Sequence, residues 1–379
     1  PLQDAEQSGL ENSDLSFLPM PKQVEVDTWR TITDTADEYN EPGEFSALIG
    51  WEWSSIPGGA NLHRVVITDS DAPTAQLYDP FGLDDSPYPE DLWSWLEKTS
   101  AETNARFTAI PHNSNISKGY MFSGNSLRGK PFSKDYVALR SKWERIAEIT
   151  QIKGDSETHS KFSPEDAFAD FEIYPYYIQR RWTEYNPQRG DFVREALKQG
   201  LEMEANLGQN PYRLGVIGST DSHTALSSAE EDNFHGKLAT DSIPANKTSN
   251  FNDDGPGSSG WAMSASGMAA VWAESNTRSD IMFALERRLV YATTVPRISL
   301  PFYLCLLFSS PFSLFIPHFS FPFFSFFFFF SSFFFFFFFF LFLFSFFFFF
   351  FLFFSSFFFL FFLSFLSLFF YLFIFFFFF

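Results

Sequence analysis

The chain has 379 residues, of which 46% are hydrophobic, and its 26 basic and 45 acidic side chains give a formal net charge of −19. This acidity argues against nucleic acid or an anionic membrane as a partner, because phosphate contacts need clustered Lys and Arg. The single cysteine, Cys305, excludes a disulfide framework within the chain.

The composition divides the chain into two unlike segments near residue 298. Every Lys, Arg, Asp and Glu lies at or before Arg297, and residues 299–379 hold 45 of the 58 Phe. Residues 1–298 are long enough for one α/β domain with a substantial core. Residues 299–379 form a low-complexity Phe/Leu/Ser tail.

The tail uses almost only Phe, Leu, Ser and Pro, the residues that codons built of T and C alone encode. A pyrimidine tract read in frame would give this composition, so we predict a read-through artefact. A membrane anchor is the alternative, since apolar runs of about 18 residues are typical of transmembrane helices. Selected spans favour Leu, Ile, Val and Ala with flanking charges, which the tail lacks. A membrane partner is therefore expected only if the tail is real.

The predicted elements of residues 1–298 alternate between helix and strand. In chain order, the pattern predicts a helix at 26–40, strands at 47–53 and 62–68, a helix at 87–104, strands at 106–111 and 143–152, a helix at 191–208, a strand at 212–218, and a closing helix with a short extended run within 275–294. This alternation predicts an α/β fold with a largely parallel sheet or barrel, in which functional residues collect at strand ends.

Local signals add detail to this pattern. The turn PGGAN allows the first two strands to pair as a hairpin. Asp191 is the expected N-cap of its helix, and Gly208 lies just past the end of that helix. Residues 225–260 are rich in Asp, Asn, Ser and Gly, which predicts a long surface loop.

The stretch GVIGSTDSHT places Asp221 and His223 one residue apart, directly after an apolar run. An Asp-x-His pair that leaves a strand end can direct a carboxylate and an imidazole toward one point, and both groups bind divalent metals. The alternative is a plain turn, in which Asp221 caps backbone amides and His223 lies on the surface.

Three further candidate ligands lie at predicted strands: Glu52, His63 and His112. Glu52 is a charge in an apolar strand, where burial without a partner is rare, although an edge position would also explain it. His63 could face solvent from a strand, and His112 could be a loop histidine. Taken together, three His and two carboxylates at strand ends favour a site for Zn, Mn or Fe(II).

Over about residues 20–298 the chain resembles a known family, the domain of unknown function 3604. The resemblance is carried by IGWEWSSIPGGANLHRVVI, TAIPHNSN, QIKGDSETH, GVIGSTDSHT and SNTRSDIMFALERRLVYATT. That family is grouped with the PHP (polymerase and histidinol phosphatase) metal-dependent hydrolases, whose distorted barrel binds metals at the strand C-termini. The resemblance implies a PHP-like distorted (β/α) barrel. It makes Glu52 a bridging carboxylate, His63 and His112 ligands, and Asp221 with His223 the final ligand pair.

The sequence departs from this family at both ends. PHP proteins open with a His-x-His pair after the first strand, and no histidine precedes Glu52 here. The family continues past YATTGPRI, where this chain has YATTVPRI and then the tail. The start, PLQDAEQSGL, has no methionine and no visible signal peptide, so the localisation is left open. We expect an internal fragment with an incomplete barrel.

The resemblance implies metal-assisted hydrolysis of a small, phosphoester-like substrate. Arg64, Lys153 and Arg128 are the candidate anion contacts, and Arg64 is the candidate catalytic residue. No motif of a serine nucleophile or a P-loop is present. The alternatives are a non-catalytic binding module with a PHP-like fold and a non-functional truncated gene product.

Overall fold

The computed structural model describes residues 21–177, 183–223, 237–238, 243, 263 and 267–294. The chain divides into two units, residues 1–300 and 301–379, and all described residues belong to the first. The helices are α1 Lys22–Glu38, α2 Ala72–Ala75, α3 Pro89–Thr103, α4 Lys134–Trp143, α5 Val193–Leu207 and α6 Arg278–Glu286. The strands are β1 Ile49–Trp53, β2 Arg64–Thr68, β3 Phe107–Pro111, β4 Ile146–Gln151, β5 Gly154–Asp155, β6 Gly215–Gly218, β7 Gly267–Val271 and β8 Val290–Thr294.

Every predicted helix and strand of the body has a counterpart, with ends that shift by a few residues. Pro89 opens α3, where its missing N–H costs nothing. Gly208 ends α5 in the left-handed conformation with φ 76°, as predicted. The predicted tail lies outside the described residues, as does the predicted 225–260 loop apart from residues 237–238 and 243.

The prediction that Asp191 is the N-cap of α5 is wrong. Asp191 ends a short 3-10 turn, where its side chain accepts the backbone N–H of Gln188 at 2.7 Å. Phe192 separates this turn from α5 and supplies no side-chain cap. The Asp191 carboxylate is engaged by this turn, so it does not cap α5.

Four elements were not predicted: the short α2 and β5, and the longer α4 and β7. Ser133 caps α4 by accepting the backbone N–H of Tyr136 at 3.2 Å. The buried face of α4 carries Val137, Arg140 and Trp143. A buried arginine at the centre of that face breaks the apolar periodicity that reveals a helix in a sequence.

The strands form three small sheets rather than the expected parallel one. β1, β2 and β3 are antiparallel, β4 pairs with β6 in parallel and with β5 antiparallel, and β7 pairs antiparallel with β8. The predicted β1–β2 hairpin is confirmed. The expectation of a largely parallel sheet is wrong, because the short connection from β1 to β2 cannot hold a crossover helix. The fold is mixed α/β, and the described residues form no closed barrel.

The largest core lies between α3 and the β1–β2–β3 sheet. Its fully buried side chains include Trp53, Leu92, Trp93 and Leu96. Leu92 and Leu96 stand one helical turn apart, so α3 presents a continuous apolar face to the sheet. This packing fixes the sheet whose strand ends carry Glu52, His63 and His112.

A smaller core joins β3, β4 and β6. It contains Ile110, Ile146 and Ile217, one from each of these strands, together with Leu285 of α6. β4 and β6 run parallel with Thr150 opposite Gly218, and the Asn113 N–H donates to Glu148. The segments that follow the three strands therefore begin close together, and they carry His112, Lys153 and Asp221. Within the described ranges, no helix has the length and apolar character needed to cross a bilayer.

Candidate metal centre

Glu52, His63 and His112 converge at one edge of the β1–β2–β3 sheet. Glu52 lies in β1, His63 directly precedes β2, and His112 directly follows β3. The strand register aligns them: Arg64 pairs with Pro111, so His63 and His112 are the next opposed pair, and the His112 N–H donates to the His63 carbonyl at 3.4 Å. Ordinary antiparallel pairing therefore brings the two imidazoles together.

The contacts are those of a carboxylate held between two rings. Glu52 Oε1 lies 2.7 Å from His63 Nδ1 and 3.2 Å from His112 Nε2. One candidate ligand atom from each of the three residues lies within 4.8 Å of the other two, which is close enough to share one metal ion. We call these three residues the Glu52 cluster.

The electrostatics of the Glu52 cluster favour a cation. Burial lowers the pKa of His63 to about 4, although the neighbouring Glu52 opposes this, so the ring is neutral at pH 7. Burial alone would raise the pKa of Glu52, but hydrogen bonds from His112 and His63 outweigh it and hold that pKa well below its usual range. A carboxylate beside the neutral His63 imidazole is the charge state that metal ligation requires.

The outer ring nitrogens support the same interpretation. His63 Nε2 and His112 Nδ1 are buried, and neither has a hydrogen-bond partner in the described part of the chain. Buried polar atoms are nearly always paired, so two orphans in one cluster suggest that an absent group completes it. A donor set of two ring nitrogens and one carboxylate suits Zn²⁺, Mn²⁺ or Fe²⁺, whereas Ca²⁺ and Mg²⁺ prefer oxygen ligands alone.

Asp221 and His223 do not join the Glu52 cluster in this structure. Asp221 Oδ2 contacts the ammonium groups of Lys153 and Lys237, the second at 2.8 Å. His223 Nδ1 lies 3.0 Å from the Asp221 carbonyl oxygen and 3.0 Å from Lys237 Nζ. Burial and the charge of Lys237 lower the pKa of His223, while the charge of Glu52 opposes that change, so this lysine-held pair lies within electrostatic reach of the cluster.

Lys153 is the predicted anion contact that lies in this neighbourhood. Burial, aided by the charge of Lys237, lowers the pKa of Lys153, while the charges of Glu148 and Glu52 oppose that change. A lysine in such a place needs an anion beside it to remain charged, and Asp221 supplies one here.

The other two predicted anion contacts have different roles. Arg64 is 1% exposed, its Nε donates to Glu144 Oε1 at 2.8 Å, and its guanidinium lies over the Trp53 ring. Its charge is therefore engaged inside the core, and its assignment as the catalytic residue stays a prediction. Arg128 pairs with Glu90 and Asp91.

Glu148 is a site-associated residue that the sequence analysis missed. It is 2% exposed in β4, where its Oε1 accepts the Asn113 backbone N–H at 3.0 Å and its Oε2 accepts the Ser219 hydroxyl. One carboxylate thus joins the segment after β3, which carries His112, to the segment after β6. The argument applied to Glu52, that a charge in an apolar strand needs partners, could have identified Glu148 as well.

Comparison with known proteins shows the family of the chain. The family model described as "Protein of unknown function (DUF3604)" matches residues 3–311, which confirms the predicted family. The match begins earlier and ends later than the predicted 20–298. No curated protein and no solved structure matches the chain.

Proposed function

We propose that this chain, which belongs to the DUF3604 family of proteins of unknown function, is a metal-dependent hydrolase of a small, phosphoester-like substrate. The convergence of Glu52, His63 and His112 within 4.8 Å is the observation that carries the proposal. We also propose that the arrangement is related to the PHP hydrolases, as the motifs around these residues suggest.

The three side chains of the Glu52 cluster differ in how far they are exposed to solvent. The side chains of His63 and His112 are 15% and 6% exposed, so packing fixes their rings, while the Glu52 side chain is 35% exposed and faces an opening. A divalent ion bound there supplies Lewis acidity and lowers the pKa of bound water. Three protein ligands leave a coordination position for water or substrate, which is typical of catalytic rather than structural sites.

Asp221 and His223 are the proposed additional ligands. They begin a segment that Glu148 and Ser219 tie to the end of β3, which carries His112, and recruitment of Asp221 would require that segment to rearrange toward the Glu52 cluster. Zn²⁺, Mn²⁺ and Fe²⁺ are the proposed ions, and the donor atoms do not distinguish among them.

The test is metal uptake followed by hydrolysis. Metal-depleted protein should bind close to stoichiometric Zn²⁺ or Mn²⁺ and then hydrolyse p-nitrophenyl phosphate or bis(p-nitrophenyl) phosphate. Glu52→Gln and His112→Ala should lose both properties. Glu102→Gln, which changes an exposed carboxylate on α3, should lose neither.

The outcomes separate the candidate functions. Metal binding that depends on Glu52, with no turnover of any phosphoester, would favour the non-catalytic binding module. Absence of metal binding by the wild-type chain would overturn the proposed function.

A further inference from the structure

Hydrogen bonds with three side-chain amides hold the backbone of Lys153 in place. Its carbonyl oxygen accepts the side-chain amides of Asn113 at 3.3 Å and Asn115 at 2.9 Å, and its N–H donates to Gln151 Oε1 at 2.9 Å. These three amide side chains are at most 1% exposed. Buried amides need hydrogen-bond partners, and these three find theirs on the backbone of Lys153, so the place of Lys153 in the fold is closely defined.

The ammonium group of Lys153 neutralises a carboxylate that a metal would need. Lys153 is 8% exposed, and its Nζ contacts Asp221 Oδ2, which Lys237 Nζ also contacts at 2.8 Å. Two ammonium groups on one carboxylate leave this group of charges net positive. These two ammonium groups oppose the binding of a metal ion to Asp221, and an ion that uses Oδ2 must displace an ammonium from it.

A displaced Lys153 cannot remain buried without an anion. The alternative carboxylates are Glu52 and Glu148, whose charges already act on Lys153. Glu52 would be engaged by the ion, and both oxygens of Glu148 already accept hydrogen bonds from Asn113 and Ser219. An oxyanion that arrives with the substrate supplies a new partner, and it would lie between the ion and the ammonium.

We propose that Lys153 is an exchangeable cation: it occupies Asp221 when no metal is bound, and it binds an oxyanion of the substrate once a metal has taken Asp221. This inference rests on the proposed function and deepens it, because it restricts the substrate to an anion. Lys153 also acts as a positioning residue, since its contact with Asp221 opposes premature recruitment of that ligand.

The test compares Lys153→Met with Lys142→Met by calorimetric titration of Zn²⁺ and then of inorganic phosphate. Lys142 also pairs with a carboxylate, Glu97 at 2.6 Å, but lies 47% exposed on α4. Lys153→Met should bind Zn²⁺ several-fold more tightly than wild type, because a competitor for Asp221 is gone. It should bind phosphate about tenfold or more weakly once Zn²⁺ is present. Lys142→Met should match the wild type in both titrations.

The two readouts move in opposite directions, which a purely structural role would not produce. If Lys153→Met does not fold, Lys153→Gln is the second variant and should shift both affinities in the same senses. Unchanged or weaker Zn²⁺ binding, or unchanged phosphate binding, in a folded variant would overturn the inference and leave the proposed function standing. Failure of the wild-type chain to bind Zn²⁺ would overturn both.

Discussion

Side chains alternate between the two faces of β1, which explains how Glu52, flanked by two tryptophans, becomes part of a polar cluster. Successive side chains of a strand point to opposite faces, so Trp51 and Trp53 share one face and Glu52 takes the other. Trp53 is fully buried in the main core and anchors the strand. The carboxylate is consequently fixed at the sheet edge with only its outer part reaching solvent.

Arg64 shows how a residue next to the cluster can serve the fold alone. Its partner Glu144 also lies 3.0 Å from Arg140 and accepts the Trp93 indole N–H at 2.9 Å. Arg64→Met should lower the free energy of unfolding by about 3 kcal/mol, because it breaks a buried ion pair. Zn²⁺ affinity of the folded protein should stay at the wild-type level.

Urea denaturation and Zn²⁺ titration measure these two properties of Arg64→Met. Arg128→Met removes a more exposed arginine from its pairs and should cost less than about 1 kcal/mol. Wild-type stability together with weakened phosphate binding in Arg64→Met would favour the assignment of Arg64 as the catalytic residue.

Asp155 gives the folded protein a pH dependence that can be isolated. Burial raises its pKa to about 7, although the backbone N–H of Glu157, 2.6 Å from the carboxylate, opposes this. The unfolded chain titrates near pH 3.9. The folded form therefore holds the proton more tightly between about pH 4 and 7, and this stabilisation is lost as the pH rises through 7.

Asp155→Asn cannot titrate, yet its amide oxygen can still accept the Glu157 N–H. Relative to wild type, the variant should gain roughly 3 kcal/mol of unfolding free energy between pH 4.5 and pH 8. Denaturant unfolding at the two pH values provides the measurement. Asp84→Asn, in an exposed loop, is the matched control. If the unfolding free energies of Asp155→Asn and wild type change equally between the two pH values, the Asp155 carboxyl is already ionised in the folded protein at the lower pH.

At the scale of elements, the segment that carries Asp221 depends on close packing at the end of β6. A Cβ on Gly218 would lie 2.7 Å from the Thr293 carbonyl oxygen and 3.1 Å from the Met268 nitrogen. These are backbone atoms of β8 and β7, which cannot move aside individually. Gly218→Ala should therefore destabilise the protein by about 1–3 kcal/mol through overpacking.

Gly82→Ala is the control for Gly218→Ala, since its Cβ would meet nothing closer than 3.9 Å. Thermal unfolding of the two variants should differ by several degrees. Gly218→Ala should also weaken Zn²⁺ binding if Asp221 is recruited, because the shifted strand end displaces its loop. Equal stability of both variants would mean that β6 is not held against β7 and β8 in solution.

Sequence patterns predicted the elements whose signals are local. The helix α3 and the β1–β2 hairpin depend on residues that are neighbours in the chain, namely a proline, an apolar period and a glycine turn. By contrast, α4 contains Arg140, whose burial makes sense only once Glu144 and the Tyr212 hydroxyl are in place. The direction of strand pairing depends in the same way on distant partners.

The candidate site shows the same difference between local signals and contacts of distant residues. Glu52, His63 and His112 could be proposed from residue type and strand position, and the register of two strand pairs brings them together. The engagement of Asp221 by Lys153 could not be foreseen, because it joins segments 68 residues apart. Sequence alone does not show that Arg64 pairs with Glu144, and its assignment as the catalytic residue stays a prediction.

At the scale of the whole molecule, charge sets the long-range environment of the site. The formal net charge is −19, and all charged side chains precede residue 298. The family match reaches residue 311, so the first residues of the Phe-rich region share the pattern of the family. A substrate anion must approach the site through the negative electrostatic field of these acidic side chains, whereas a metal cation is attracted by that field.

The two ligands should therefore respond to salt with opposite signs. Raising the ionic strength from about 0.02 to about 0.3 M shortens the screening length from roughly 20 Å to below 10 Å. The protein should then bind Zn²⁺ several-fold more weakly, because the attraction of the distant carboxylates is screened. Phosphate binding to the Zn²⁺-loaded protein should tighten about two- to threefold, since the same charges no longer repel it, while the buried Lys153 contact is screened much less. Calorimetric titration in sodium chloride series measures both affinities, and an equal osmolality of sucrose is the control. A parallel loss of both affinities would show that local positive charge, rather than the acidity of the whole chain, governs the approach of anions to the site.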